Sequence, residues 1–247
     1  MSAVATRGST SVMAAVLVTS LASVAAANDP PRAARTLAEA EEALAQLVTV
    51  QRPEGVTVAR GSAFFVDAYG TLLTCAHVLD HMPKDEAPRL RLRDGRERRF
   101  SVVTVDRETD LAVLRTDPPR YFLALADAPE PSIGQAVLLG GFAASPADLA
   151  TALRFTRGTV VSRERRWASG VRRTVGSRRR IVTVKVDPIA DPGQSGGPLL
   201  SEGTFEVIGV LRANLESETG GLGGAPQKGY SAAVPLLYAR PLLEPKD

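Results

Sequence analysis

The run Asp191-Pro192-Gly193-Gln194-Ser195-Gly196-Gly197-Pro198 sets a serine in a glycine-rich turn. Such a turn can hold a hydroxyl out for attack and aim backbone N–H groups at the oxygen that becomes negative. Gly-Gln-Ser-Gly-Gly also fits the Gly-x-Ser-x-Gly nucleophile elbow, a short pattern that arises by chance. The elbow's chemistry needs a histidine after the serine. This chain has two histidines, His77 and His81, and both precede Ser195. The order that survives is histidine, aspartate, serine.

The elements that must position such a trio are legible around it. Gly61-Ser62-Ala63-Phe64-Phe65-Val66 alternates like a strand, Asp67-Ala68-Tyr69-Gly70 makes a turn, and Thr71-Leu72-Leu73-Thr74 returns as a second strand. Cys75-Ala76-His77-Val78-Leu79 follows directly, so His77 is expected at the end of that hairpin. Asp110 opens the apolar run Leu111-Ala112-Val113-Leu114, at a strand start where a carboxylate can be partly buried beside an imidazole. A base oriented by an acid activates a serine hydroxyl near neutral pH. Asp106 is an alternative acid, and Asp110 is preferred because it abuts the apolar strand. His81 stands before Met82-Pro83 in loop-like sequence and reads as solvated. Histidines four apart can also bind zinc on one helix face. The zinc protease pattern has glutamate right after its first histidine, where this chain has Val78, and no third ligand is evident. Cys75 lies beside a core strand and reads as a packed thiol.

These residues, in this order, resemble the trypsin-like serine peptidases and, within them, the HtrA/Deg branch. The matching segments are Gly61 to Leu79, Thr109 to Leu114 and Asp187 to Val210; Gly229-Tyr230-Ser231-Ala232-Ala233-Val234-Pro235 looks like that branch's last barrel strand. The resemblance implies an all-β fold of two six-stranded antiparallel barrels with the active site between them. It implies a triad of His77, Asp110 and Ser195 and an oxyanion hole from the N–H groups of Gly193 and Ser195. It also implies a primary pocket floored by Ile189, walled by Leu211, Arg212 and Ala213, and narrowed by Ser231. With no carboxylate at that floor, small or medium aliphatic side chains are the expected fit.

Three further features side with HtrA/Deg proteases. Cys75 is the single cysteine, so no intrachain disulfide can form, and Val78 stands where digestive trypsins have a cysteine. Asn28-Asp29-Pro30-Pro31 lacks an Ile-Val-Gly-Gly activation sequence, and Gln194 replaces the aspartate that pairs with such a freed terminus. Zymogen activation of that kind is not expected. No PDZ module is expected after the last strand.

At 247 residues the chain can bury a full core, and a formal net charge of +3 spread among apolar residues does not suggest nucleic-acid binding. Residues 1–27 read as a signal peptide. Arg7 is the only charged residue before Asp29, Val12 to Val24 is apolar, and Ala25-Ala26-Ala27 offers an Ala-x-Ala cleavage site. A membrane span needs about 20 apolar residues, so cleavage and export to a bacterial periplasm or medium is favoured over an uncleaved anchor. Residues 28–47 are expected as a helical extension, with Leu37, Ala40, Leu44 and Leu47 near helical spacing. Residues 48–247 form the protease domain, with barrels at about 48–127 and 132–240. Asp94-Gly95 predicts a hairpin between Leu90-Arg91-Leu92 and Phe100 to Val105, and Pro129 to Pro131 the crossing between barrels. Arg163 to Arg180 reads as a basic, structurally weak loop, and Glu216 to Gly229 as a glycine-rich one.

The reading that results is an exported serine endopeptidase acting on protein or peptide substrates, with no cofactor and no metal. Its alternatives are a catalytically silent peptide-binding member of the fold and an exported esterase using the same triad.

Overall fold

The structure, a computed structural model, describes residues 29–51, 56–83, 86–128, 130–143, 152–167, 180–212 and 230–244. Residues 1–27, expected from sequence as a signal peptide, the loop from Glu216 to Gly229 and Ala213 lie outside the described residues. Among the described residues no helix is long and apolar enough to cross a membrane.

Two antiparallel β units make up the fold. The first comprises β2 (Leu44–Gln51), β3 (Val56–Phe65), β4 (Thr71–Thr74), β5 (Ala87–Leu92), β6 (Glu97–Arg98), β7 (Ser101–Asp106) and β8 (Leu111–Arg115). These pair in the order β6-β5-β2-β3-β4-β8-β7, a seven-stranded sheet with β6 and β7 at its ends. The second unit is a closed six-stranded barrel, ordered β10-β11-β12-β15-β14-β13. Its strands are β10 (Ala136–Phe142), β11 (Leu153–Trp167), β12 (Arg180–Asp187), β13 (Pro198–Ser201), β14 (Val207–Leu211) and β15 (Ser231–Pro235). A short parallel pair, β1 (Arg32–Ala33) with β9 (Tyr121–Phe122), ties the N-terminal segment to the first sheet's exit. The all-β, trypsin-like double barrel is therefore present. Its first half is an open ladder rather than the closed six strands expected from sequence.

Local chemistry explains the boundaries, including those that differ from expectation. Helix α1 (Leu37–Glu42) starts at Thr36, whose hydroxyl accepts from Glu39 N, while the Glu39 carboxylate reaches back to Arg35 N. It stops at Ala43, and Leu44 and Leu47 belong to β2, so the first barrel begins before residue 48. Helical spacing is present there, but the β-branched run Val48-Thr49-Val50 and pairing to β3 and β5 on both sides win. The turn at Asp67 forms as read, with its carboxylate accepting from Tyr69 N and Thr71 N. The Asp94-Gly95 turn joins β5 to the short β6, and the segment after Phe100 pairs with β8 instead. Asp106 directs that choice: its carboxylate captures Glu108 N, Thr109 N and the Thr109 hydroxyl, turning β7 back into β8. The two ends of the basic stretch are strand, and residues 168–179 between them lie outside the described residues. β11 runs on through Arg163 to Trp167, in register with Arg180 to Val184 of β12. Alternating Ser162-Arg163-Glu164-Arg165 suits a ribbon, and Lys185 pairs with Glu164 across it.

Phe64, Phe65, Leu72, Leu73, Leu111 and Leu114 fill the first core, which continues through Phe142, Leu200 and Val210 of the second unit. That shared apolar seam holds the two units in one orientation, and the site lies on it. Deleting a fully buried aromatic there leaves a cavity as well as a lost transfer term. Phe64→Ala should lower the unfolding free energy by about 3–5 kcal/mol in a urea titration. A loss under about 1 kcal/mol would show that Phe64 is not packed as described.

Candidate active site

The glycine-rich turn around Ser195 is two consecutive tight turns. Gln194 N donates to Asp191 O and Gly197 N donates to Gln194 O, so Gly193 and Gly196 each take the third position. Both have positive φ, 95° and 84°, as that position of a type II turn demands. Pro192 and Ser195 precede them at the second positions, where proline is favoured. Gly196 is constrained by space as well. A Cβ there would sit 2.2 Å from the Ser62 carbonyl oxygen and 2.3 Å from the Thr74 hydroxyl.

Hydrogen bonds fix the turn to both barrels. Gly196 N donates to Leu211 O and Leu211 N to Gly197 O, which joins it to the end of β14. Ser62 N donates to Ser195 O, and Ser62 Oγ donates to Gly193 O while accepting from Phe142 N. Thr74 Oγ1 donates to Ser62 O. Gln194 is buried, and its Oε1 accepts from Asp191 N at 2.7 Å, closing the turn from within. Among the described residues no hydrogen bond engages the N–H of Gly193 or Ser195.

His77 stands in helix α2 (Ala76–Asp80), one turn long, which starts at Cys75 where β4 ends. Asp110 sits at the start of β8 with φ 61°, a left-handed conformation that aspartate tolerates better than most residues. The two meet through both carboxylate oxygens. Oδ1 accepts from His77 N at 2.9 Å, and Oδ2 lies 2.7 Å from His77 Nδ1. An ionised carboxylate can only accept, so Nδ1 carries the proton and Nε2 presents a lone pair. Ala76 N donates to the Asp110 carbonyl, closing the junction between α2 and β8.

Burial pushes the Asp110 carboxyl upward, but the bond from His77, the His77 charge, the His77 N–H and the charge of Arg212 outweigh it. The group is left below the ordinary carboxylate range. A folded-state value below the unfolded one contributes stability at neutral pH, lost as pH falls through the depressed value. Arg212 Nε lies 2.8 Å from the same Oδ2 that meets Nδ1. Asp106, the other acid considered, is spent on its own turn.

His81 is exposed, with its ring edge-on to His77 at 5.7 Å between centroids. The group that the fold brings together is Cys75, His77 and Asp110, whose ligand atoms lie within 4.8 Å of one another. The charges there favour a hydrogen-bonded trio over a bound cation. Burial first, then the Asp110 charge, push the Cys75 thiol well up, its Sγ donates to Leu211 O, and Arg212 already brings a cation.

The expected pocket residues are placed as follows. Ile189 is 52% exposed, so its apolar surface is open. Ser231 is fully buried, donating to Pro188 O and accepting from Ala190 N, which anchors the segment bearing Ile189. Leu211 is fully buried in the second barrel's core. Arg212 is committed to Asp110. A cavity of about 840 Å³ lies elsewhere, between Glu42, Leu92, Arg93, Arg96 and Arg120 of the first unit.

A profile of the trypsin-like peptidase domain matches residues 61–210. The chain belongs to the trypsin-like peptidase family. A probable periplasmic serine endoprotease of the DegP type from Halomonas elongata is 32% identical over 181 residues, 72% of this chain and 33% of that protein. The putative serine protease HhoA of Synechocystis is 32% identical over 169 residues, 65% of this chain and 38% of that protein. The solved structure of an HtrA-type protease, AlgW with a tripeptide, superposes with a TM-score of 0.60 at 25% identity. The match covers 84% of this chain and 60% of that one. A second solved structure, a serine-to-alanine form of AlgW with a tripeptide, gives a TM-score of 0.61 at 26% identity over the same shares. The chain spans about a third of the length of the curated relatives it matches. These likenesses place it with the HtrA/Deg branch of that family.

Sequence reasoning missed two members of this site. One is the ion pair of Arg212 with Asp110, which nothing local announces. The other is Ser62, whose only signal is a polar residue on the same strand face as Phe64. Ser62→Ala would leave Gly193 O and Phe142 N without their partner. That should cost about 1–3 kcal/mol in thermal or urea unfolding. It should also lower turnover more than Ser101→Ala, an exposed control on β7. Equal stability and turnover in the two variants would show that Ser62 does not hold the turn.

Proposed function

We propose that this chain is an exported serine endopeptidase. Ser195 is its nucleophile, His77 its general base and Asp110 its orienting acid, with an oxyanion hole from the N–H groups of Gly193 and Ser195. The observation that carries the reading is the two-point grip of Asp110 on His77, at 2.9 and 2.7 Å, which leaves Nε2 as the free basic atom. The doubled turn supports it, because its left-handed glycines leave two N–H groups without a protein acceptor among the described residues.

The reaction follows from those positions. His77 Nε2 takes the hydroxyl proton as Ser195 Oγ attacks the peptide carbonyl carbon. The carbonyl oxygen becomes negative and accepts from the two N–H groups. As the tetrahedral intermediate collapses, His77 returns the proton to the leaving amine, and water then hydrolyses the acyl-enzyme by the same route. An aspartate kept ionised stabilises the imidazolium formed at each step. Ile189, anchored through Ser231, offers apolar surface to the side chain before the scissile bond. Alanine, valine or leucine there suits it, with broad selectivity, since one methylene changes preference by only about 1–3 kcal/mol. The periplasmic DegP-type relatives, with the signal-like residues 1–27, support a periplasmic site of action.

A fluorophosphonate probe and parallel peptide and ester assays test this reading. Wild-type protein should be labelled and should cleave peptides, and Ser195→Ala should lose labelling and nearly all turnover. His77→Ala should cost a comparable factor, on the order of 10⁶ in kcat, because the residues act as a unit. Labelling that persists in Ser195→Ala, or ester cleavage with no peptide cleavage, would sink the assignment.

A further inference from the structure

Arg212 follows β14 directly, and it has no part in the reaction just proposed, on which this inference rests. Its backbone is fixed: Arg212 N donates to Ala232 O of β15, and Leu211 before it is bonded to Gly197. From there its guanidinium crosses to the first unit, where Nε lies 2.8 Å from Asp110 Oδ2. That is the oxygen 2.7 Å from His77 Nδ1. The pair differs from the surface ion pairs of this protein. Arg107 and Asp80 are 59% and 42% exposed, whereas Asp110 is 5% exposed and Arg212 25%. An exposed pair contributes little, whereas a cation beside a desolvated carboxylate is less screened. Among the described residues, the titratable and charged groups facing Asp110 are His77 from α2, Cys75 at its start and Arg212 after β14.

We propose that Arg212 is a positioning residue of this site, sharing Asp110 Oδ2 with the His77 imidazole and so setting how firmly the acid holds the base. Two consequences follow from charge alone. A permanent cation beside Oδ2 keeps the carboxylate ionised in acid, and the same cation opposes a second positive charge forming across that oxygen. The first keeps the orienting acid ionised, and the second extends to lower pH the range over which the imidazole stays an available base. The arrangement also commits Arg212 away from the substrate, so acidic residues before the scissile bond gain nothing from it.

Kinetics of Arg212→Ala and Arg212→Lys across the acidic limb test this, with active sites counted by the fluorophosphonate probe. In Arg212→Ala the limb of kcat/KM should move toward neutral pH by on the order of one unit, with KM at neutral pH unchanged. Arg212→Lys should lie between, because it keeps the charge and loses the planar Nε–H. A limb that coincides with wild type in both variants, or a change in KM alone, would overturn the proposal. Proton NMR of the same proteins needs no turnover. The His77 Nδ1–H resonance should move further downfield in Arg212→Ala, as Oδ2 is released to a single donor. An unmoved resonance would overturn the proposal. If Arg212→Ala does not fold, Arg212→Lys carries both readouts. If wild type neither labels nor cleaves, the peptidase reading fails and the resonance alone judges the ion pair.

Discussion

A carboxylate taken out of water must be met by donors, and in this protein the one that matters most is Asp110. Its side chain is almost fully buried, and it receives the His77 N–H, the His77 ring and the Arg212 guanidinium. The donors come from both halves of the fold. His77 is delivered by the one-turn helix after β4, Asp110 by the left-handed residue that opens β8, and Arg212 by the end of β14 in the other barrel. Remove any one of these elements and a buried charge is left partly unmet. The fold and the site therefore share a single electrostatic condition, and the seam between the barrels cannot loosen without violating it.

The end of β14 transmits that condition to the serine. Leu211 O accepts from both Gly196 N and the Cys75 thiol, and Leu211 N donates to Gly197 O. Cys75 is the residue before the helix that carries His77, so one peptide group of β14 touches the element of His77 and the turn of Ser195 together. Ser62 makes a second link from the first sheet, through Ser195 O and Gly193 O. The turn is clamped from both barrels, while its glycines supply the conformations that the clamp requires.

Much of this could be read from residue order. The hairpin that delivers His77, the strand that Asp110 opens and the glycine-rich turn each carry local signals, because alternation, an Asx turn and Pro-Gly are short-range chemistry. The fold class came through the resemblance to trypsin-like serine peptidases that those motifs carry. What sequence reasoning got wrong came from competition between local and distant preferences. Leu44 and Leu47 satisfy helical spacing, yet β3 and β5 on either side draw them into a strand. Arg163 to Trp167 look too basic for a strand, yet Ile181 to Val184 give them a partner. The Arg212 pair joins residues far apart in the chain, and no periodicity or motif could announce it.

The most direct test of the account is a crystal structure of the protein after reaction with a fluorophosphonate. The account predicts phosphorus bonded to Ser195 Oγ, with the phosphoryl oxygen about 2.7–3.1 Å from the N–H groups of Gly193 and Ser195. His77 should remain on Asp110. Phosphorus on another residue, or a phosphoryl oxygen turned away from both N–H groups, would contradict it.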